Sequence, residues 1–302
     1  MRFTIPRPAA AALACVLCCA AASASTPSPA ATDSPWSRPA APFRVVGPVH
    51  FVGTSELGVF LVTTPAGHVL IDGGAPESTP LIESSIRALG FDPREIRVLL
   101  TTQAHYDHVG SLAHFKRLSG GRVEVMDGDV ALVETGGQAD YLFGAGGPRF
   151  RFDRVKVDRT LHDGDTVALG GVTLTARRTP GHTPGSTTWL TTVKDGARSY
   201  QVVFAGSTSI NPGTRLVGTP SYPGIAEDFA RAFEVLESLT PDVFLAAHTG
   251  FFAMEEKRAR LGRPGSENPF VDPEGYRAHV AEKKRGFDAE LARQRAERPA
   301  AP

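Results

Sequence analysis

Residues 103–108 hold four side chains that can bind a metal ion. They are Gln103, His105, Asp107 and His108, within the sequence TTQAHYDHVG. Histidine nitrogen and carboxylate oxygen are ordinary zinc ligands, whereas a glutamine amide seldom binds zinc. Because side chains two positions apart do not share a helix face, this spacing indicates an irregular loop. From such a loop the side chains can enter one cavity from different directions.

Two further histidines follow strand-like runs and lie next to glycine. His182 is in TPGHTPGS and His248 is in AAHTG, and glycine allows the backbone to approach closely. With His105, His108 and Asp107 they form a set of nitrogen and oxygen ligands that suits zinc. The sequence therefore predicts a metal centre assembled from three separate segments.

The strands and helices around these segments must position them. Strand-like runs dominate the middle of the chain, and helical patterns occur towards both ends. This distribution predicts an α/β fold with two packed sheets and helices on their outer faces. Strands are predicted at 49–53, 58–64, 68–72, 96–102, 122–126, 150–157, 166–169, 172–179, 186–193, 200–206 and 243–247, and helices at 78–90, 110–119, 128–136, 225–240 and 272–298.

The composition is that of a globular protein. The chain of 302 residues has 32 basic and 32 acidic residues and is 41% hydrophobic, which suits a domain with a large core. We assign this domain to residues 43–302. The sequence has no basic stripe that would favour nucleic acid or an anionic membrane as partner. We expect a monomer that acts on a small molecule.

The first 24 residues are interpreted as a signal peptide. Arg2 and Arg7 precede an apolar run too short to span a bilayer, and Ala22-Ser23-Ala24 resembles a cleavage site. We therefore expect export to the periplasm. Residues 25–42, rich in proline, alanine and serine, would form a flexible lead-in.

The three cysteines, Cys15, Cys18 and Cys19, all lie in this leader. The mature protein would then have no disulfide, no thiol nucleophile and no thiolate metal ligand. A lipid anchor on Cys15 or Cys18 is the alternative to simple cleavage, although the residues before them match a lipidation site poorly.

Several motifs resemble the metallo-β-lactamase superfamily. They are TTQAHYDHVGSL, RTPGHTPGSTTW and AHTGFF, and the resemblance extends over residues 43–290. The stretches VGTSELGVFLVTTPAGHVLIDGG and LHDGDTVALGGVTLTARRTPGHTPGSTTW are similar to the third subclass of true metallo-β-lactamases. This resemblance implies an αββα sandwich with zinc at the edge between the sheets.

The resemblance also implies a role for each candidate ligand. Two zinc sites are expected, the first formed by Gln103, His105 and His182 and the second by Asp107, His108 and His248. Most members of the family have histidine where this chain has glutamine, and an amide oxygen is a weaker donor than imidazole. One or two zinc ions are therefore expected per chain, with the second site filling first. Asp72 matches an aspartate that orients a ligand from behind.

The residues at the end of the strand at 200–206 help to distinguish which bond the resemblance implies is hydrolysed. Thioesterases and lactonases of the superfamily often carry an aspartate there that bridges two metals, whereas this chain has Gly206-Ser207. The resemblance implies hydrolysis of the β-lactam amide of penicillins, cephalosporins and carbapenems by metal-bound hydroxide, which confers resistance. Asp107 would orient the hydroxide or pass a proton to the leaving nitrogen. Ser207 and Ser209 would bind the substrate carboxylate.

Other interpretations remain open at this point. The chain could hydrolyse another ester, thioester or lactone, or it could be an exported metal-binding protein without catalytic activity, which Gln103 would favour. The glycine-rich segment 136–150 either lines the substrate groove or is an ordinary surface loop.

Overall fold

Two β-sheets packed face to face form the centre of the fold. The computed structural model describes Met1 and residues 34–264 and 267–297. The predicted signal peptide, apart from Met1, and the lead-in up to residue 33 lie outside the described residues. The strands in the described part are β1 (Phe43–Val46), β2 (Val49–Phe51), β3 (Phe60–Thr64), β4 (Gly67–Ile71), β5 (Ile96–Leu100), β6 (Arg122–Met126), β7 (Arg159–Leu161), β8 (Thr166–Leu169), β9 (Val172–Arg178), β10 (Thr187–Asp195), β11 (Arg198–Ala205) and β12 (Val243–Ala246).

The helices lie between and after these strands. They are α1 (Thr79–Ala88), α2 (Tyr106–Val109), α3 (Leu112–Ser119), α4 (Val130–Glu134), α5 (Ile225–Glu237), α6 (Met254–Arg260) and α7 (Pro273–Ala296). Helix α7 begins as predicted, because the Asp272 side chain accepts a hydrogen bond from Gly275 N at 2.8 Å. No helix in the described residues is long and apolar enough to cross a membrane.

Strand order determines which loops meet. Strands β1 to β7 form one sheet in sequence order, and β12-β11-β10-β9-β8 form the other. Strands β4, β5, β6 and β7 run parallel, as do β11 and β12. Because parallel strands end at the same edge of a sheet, the segments after β4, β5 and β6 emerge together. The segments after β11 and β12 emerge together in the same way.

The core explains why both faces of the first sheet are apolar. Phe60 and Val62 of β3 pack between the two sheets, whereas Leu61 faces the layer that contains Ile82 of α1 and Phe115 of α3. Successive side chains of a strand point to opposite faces, so a sheet covered on both sides needs apolar residues throughout.

On the far side of the second sheet, α5 and α7 pack through Phe229, Phe233 and Phe287. The order of layers is therefore helix, sheet, sheet, helix, which confirms the predicted αββα sandwich.

One predicted strand is wrong. The alternating segment 150–157 forms no strand, and the edge strand is β7, Arg159–Leu161. The backbone of this segment is held by other partners, because Val157 N donates to the Glu134 carboxylate at 3.0 Å. Alternation of apolar and charged residues here reflects burial of Phe152 and Val155 beside α4 rather than pairing in a sheet. Strand β1 was not predicted as a strand.

Candidate metal centre

Loops from both sheets bring three candidate ligands to one point. Asp107 and His108 lie in the short helix α2 after β5, so the irregular loop predicted for these two residues is wrong, and His248 follows β12. One ligand atom from each lies within 4.8 Å of the other two. His108 Nε2 is 3.1 Å from Asp107 Oδ2 and 3.3 Å from His248 Nε2, and His248 Nε2 is 3.7 Å from the same carboxylate oxygen. These residues can hold a metal ion.

The two histidines expected at the first zinc site form a separate pair, called here the first histidine pair, and Asp107, His108 and His248 are called the second group. His105 Nδ1 is 3.0 Å from His182 Nε2, and both side chains are buried. His182 Nδ1 lies 2.6 Å from the carbonyl oxygen of Ser209. An N–H at Nδ1 donates to that carbonyl and leaves the lone pair of Nε2 directed at His105. Gly181 precedes the histidine with φ of +129°, a conformation that side chains with Cβ rarely adopt.

Gln103 is buried against the segment after β11. Its Oε1 accepts a hydrogen bond from Ser207 N at 3.1 Å, and its Nε2 has no hydrogen-bond partner among the described residues. The carbonyl oxygen retains a second lone pair. Gln103 therefore links the two sheets, and any metal would share its amide oxygen with a backbone N–H.

The protonation states of His182 and His248 suit the binding of a metal cation. Burial, together with the neighbouring His105, lowers the pKa of His182 to about 3. Burial and the neighbouring His108 lower the pKa of His248 to about 4. Both rings are thus neutral and offer lone pairs at neutral pH, which metal binding requires.

His108 and Asp107 are both charged at neutral pH. Burial opposes charge on His108, but Asp107 and Asp72 more than offset it and raise the pKa of His108 to about 10. Burial likewise opposes ionisation of Asp107, but the surrounding histidines hold the pKa of its carboxyl well below the usual range. His108 therefore carries a proton in this arrangement and would have to release it to bind a metal. With that proton released, a carboxylate among imidazoles is a donor set that fits a divalent metal.

Asp72, predicted to orient a ligand, lies next to His108. Its carboxylate accepts from Thr102 N at 2.6 Å and from Thr102 Oγ1 at 2.7 Å, and its Oδ2 lies 3.3 Å from His108 Nδ1. Its φ is +62°, an uncommon conformation for a residue with Cβ. Such strain persists where the surroundings fix the residue, and it is common at functional sites.

Asp140 is a residue of the centre that the sequence analysis missed. Its Oδ2 lies 3.2 Å from His105 Nε2, and its Oδ1 accepts from Leu142 N and Phe143 N. The next residue, Tyr141, donates to the carbonyl oxygen of His182 at 3.1 Å. The segment 136–150 therefore packs on the first histidine pair.

Asp129 joins the two loops that carry this pair and was also missed. It is buried, and its carboxylate accepts from Ala104 N at 2.9 Å, Thr183 Oγ1 at 2.7 Å and Gly185 N at 2.7 Å. Burial raises the pKa of Asp129 to about 6, and these donors oppose the rise. A Cβ on Gly185 would lie 2.4 Å from Asp129 N, so glycine is needed for this approach.

The geometry agrees with similarity to known proteins. Residues 59–248 match the Metallo-beta-lactamase superfamily. The chain belongs to this superfamily. The fold of the superfamily implies a divalent metal, typically zinc, and the cluster of Asp107, His108 and His248 is a place to hold it.

Solved metallo-beta-lactamase structures superpose on nearly the whole described chain. The chain is 40% identical to native FEZ-1 metallo-beta-lactamase from Legionella gormanii, with a TM-score of 0.83 over 87% of this chain and 99% of that one. It is 37% identical to BJP-1, a subclass B3 metallo-beta-lactamase of Bradyrhizobium japonicum, with a TM-score of 0.81 over 87% and 97%. These similarities agree with the subclass suggested by the motifs.

Curated relatives include other hydrolases of the superfamily. The chain is 28% identical to the N-acyl homoserine lactonase AttM of Agrobacterium fabrum over 43% of this chain and 57% of that protein. The chain spans 66% or less of the length of the first curated relatives it matches. The superfamily is thus established, whereas the substrate must be inferred from the site.

Proposed function

We propose that the protein uses zinc to hydrolyse the amide bond of β-lactams, including penicillins, cephalosporins and carbapenems. The observation that carries the proposal is Ser207, which follows β11 and donates its N–H to Gln103, at the position where other branches of the superfamily often carry a metal-bridging aspartate. Similarity to FEZ-1 and BJP-1 over most of the chain supports it. The enzyme would confer β-lactam resistance after export to the periplasm, with residues 43–302 as its hydrolase domain.

We propose two zinc sites of unequal strength. The first would use Gln103, His105 and His182, and the second would use Asp107, His108 and His248. The second site is expected to fill first, because it has two imidazoles and an anionic carboxylate, whereas the first relies on a neutral amide. When bound, zinc supplies hydroxide at neutral pH by lowering the pKa of water, and it polarises the substrate carbonyl.

The side chains around the sites orient the reactants. Asp107 is ionised at neutral pH, since the adjacent histidines lower the pKa of its carboxyl. Its carboxylate accepts a hydrogen bond from the attacking water and directs the oxygen at the lactam carbonyl. Asp72 and Asp140 hold the rings of His108 and His105 in place from behind, which fixes the direction of their lone pairs.

Ser207 and Ser209 are proposed to bind the substrate carboxylate. Ser207 Oγ accepts a hydrogen bond from Ser209 N at 3.3 Å, so the two hydroxyls lie on one short segment after β11. The carbonyl of Ser209 meanwhile orients His182. This segment therefore connects substrate binding with the first histidine pair.

Lactone hydrolysis is a second candidate, favoured by the similarity to AttM. Ser207 weighs against it, because the lactonase and thioesterase branches often place a bridging aspartate at this position. The third candidate, a non-catalytic metal-binding protein, is separated from both hydrolases by a turnover assay on metal-loaded protein.

A substrate panel tests the proposal. Purified zinc-loaded protein is assayed with benzylpenicillin, a carbapenem, an N-acyl homoserine lactone and a glutathione thioester, and zinc is counted in the same sample. We expect β-lactam turnover that is lost on chelation, restored by Zn²⁺, and unaffected by mechanism-based inhibitors of serine β-lactamases. Rapid lactone or thioester hydrolysis without β-lactam turnover would refute it, as would full activity in metal-free protein.

A further inference from the structure

A cavity of about 940 Å³ lies between the segment after β11 and helix α7. Thr208, Ser209 and Asn211 line it from one side, and Lys283 of α7 lines it from the other. Ser209 is also the residue whose carbonyl oxygen contacts His182. The cavity therefore opens beside the candidate metal centre, on the side where we place the substrate carboxylate.

Lys283 is held against this centre by an aromatic contact. Its Nζ lies 4.5 Å from the centroid of the Phe251 ring, and that ring lies 5.2 Å from the ring of His248. The ammonium group is thus at most about 10 Å from the His248 ring. A cation over an aromatic face is stabilised by the ring quadrupole, so Phe251 fixes where the charge lies.

The charge of Lys283 has no strong partner in the part of the chain that the structure describes. Among the described residues, the carboxylate paired with it is that of its neighbour Glu282, at 3.9 Å and largely exposed, beyond hydrogen-bond distance. The other carboxylates of the cavity, Glu290 and Glu297, are each 2.6 Å from Arg293. The side chain of Lys283 is only 22% exposed. A half-buried ammonium group that lacks a close anion can bind one from outside.

We propose that Lys283 and the Ser209 hydroxyl form a subsite for the carboxylate of the substrate. The inference rests on the proposed β-lactamase function and adds a cation to the serine hydroxyls that we assign to the substrate carboxylate. Bicyclic β-lactams carry a carboxylate on the ring fused to the lactam. With this group on Lys283, the lactam carbonyl is directed towards the histidine pairs. Substrates without a negative charge at this position lose the contact.

The test compares benzylpenicillin with its uncharged methyl ester. Lys283→Met removes the charge but keeps an apolar stem over Phe251, and Lys283→Arg retains a charge. Lys284→Met is the matched control, because that neighbouring lysine pairs with Asp288 at 2.8 Å on the exposed side of the helix. The zinc content and melting temperature of each variant are measured first.

We expect Lys283→Met to raise KM for benzylpenicillin roughly tenfold, with kcat within about twofold, since a charge-assisted contact that persists through the reaction is lost. The methyl ester should be hydrolysed equally well by the wild type and the variant. Lys283→Arg should retain most of the affinity, and Lys284→Met should behave as wild type. Equal effects of Lys283→Met on acid and ester, or no effect on either, would overturn the subsite.

The subsite and the proposed function can fail separately. If the wild type turns over neither compound, the proposed function fails, and calorimetric binding of the acid and the ester to the zinc-loaded protein then tests the subsite. A preference for the acid that disappears in Lys283→Met would still support it. No preference in the wild type would refute it, as would a preference that is lost instead with Arg215→Met, a variant of another cation that lines the cavity.

Discussion

Trp189 connects the second sheet to the start of the candidate metal-binding loop. It lies in β10, is fully buried between the sheets, and its Nε1–H donates to the carbonyl oxygen of Thr101 at 3.0 Å. Thr101 Oγ1 in turn donates to the carbonyl oxygen of Gln103 at 2.8 Å. Substitution of Trp189 by Phe keeps an aromatic ring but removes the donor. It therefore tests whether this contact positions the ligands that follow.

Two terms set the expected loss of stability in Trp189→Phe. The carbonyl of Thr101 becomes a buried acceptor without a partner, which costs about 1–3 kcal/mol. The smaller ring leaves a partial cavity and loses contacts worth about 1–2 kcal/mol. The free energy of unfolding should thus fall by roughly 2–5 kcal/mol, and at about 2 °C per kcal/mol for a chain of this size the melting temperature should fall by roughly 4–10 °C.

Phe204→Leu is the matched control. Phe204 lies directly opposite Trp189 on β11 and is equally buried, but it has no polar atom. We expect it to lose only the packing term, about 1–2 kcal/mol. Urea unfolding of both variants separates the loss of the hydrogen bond from the loss of packing. Zinc titration of both variants measures the effect on the metal site. If Trp189→Phe is no less stable than Phe204→Leu, or binds zinc as tightly as the wild type does, the indole hydrogen bond does not position the loop.

Three further outcomes are expected. Gln103→His should raise the zinc bound per chain measured by mass spectrometry, because imidazole is a stronger donor than an amide; unchanged zinc content would argue against a metal at this residue. Ser209→Ala should raise KM for a penicillin more than it lowers kcat, since its carbonyl contact with His182 is retained; a fall confined to kcat would contradict carboxylate binding. Asp272→Ala should cost about 2–3 kcal/mol, because it removes the cap of α7 and leaves buried Lys257 without its partner at 2.8 Å. Although burial opposes ionisation, Lys257 lowers the pKa of Asp272, so this contribution is present at neutral pH and is lost as the pH falls below about 4. Urea unfolding of the wild type and Asp272→Ala at neutral and acid pH should show that the difference between their free energies of unfolding shrinks in acid. A difference that stays constant would contradict the prediction.

The sequence predicted the layers and the strand ends because both depend on local patterns. Strand β5 and the loop after it follow from an apolar run that ends in polar ligand types, and α7 follows from Asp272 and the proline after it. Asp140 and Asp129 could not be found in this way. The partners of Asp129 include Ala104 and Gly185, which are 25 and 56 residues away, so no spacing in the sequence marks the contact.

The opening of the metal-binding loop also offers a physical reason for Gln103. Three successive residues of this loop are bonded to the opposite sheet or the segment after it. Trp189 Nε1 donates to the carbonyl oxygen of Thr101, Thr187 N donates to that of Thr102 at 2.7 Å, and Ser207 N donates to the side chain of Gln103. An amide oxygen accepts the last of these bonds and keeps a lone pair, whereas an imidazole nitrogen has only one lone pair to give. Glutamine therefore strengthens the contact between the sheets, where histidine would strengthen the proposed first metal site. Ser207, which supplies the backbone donor, is also the residue that we propose stands in place of a bridging carboxylate. Because Gln103 and Ser207 are in direct contact, we expect a change at either position to alter both the contact between the sheets and the proposed metal site.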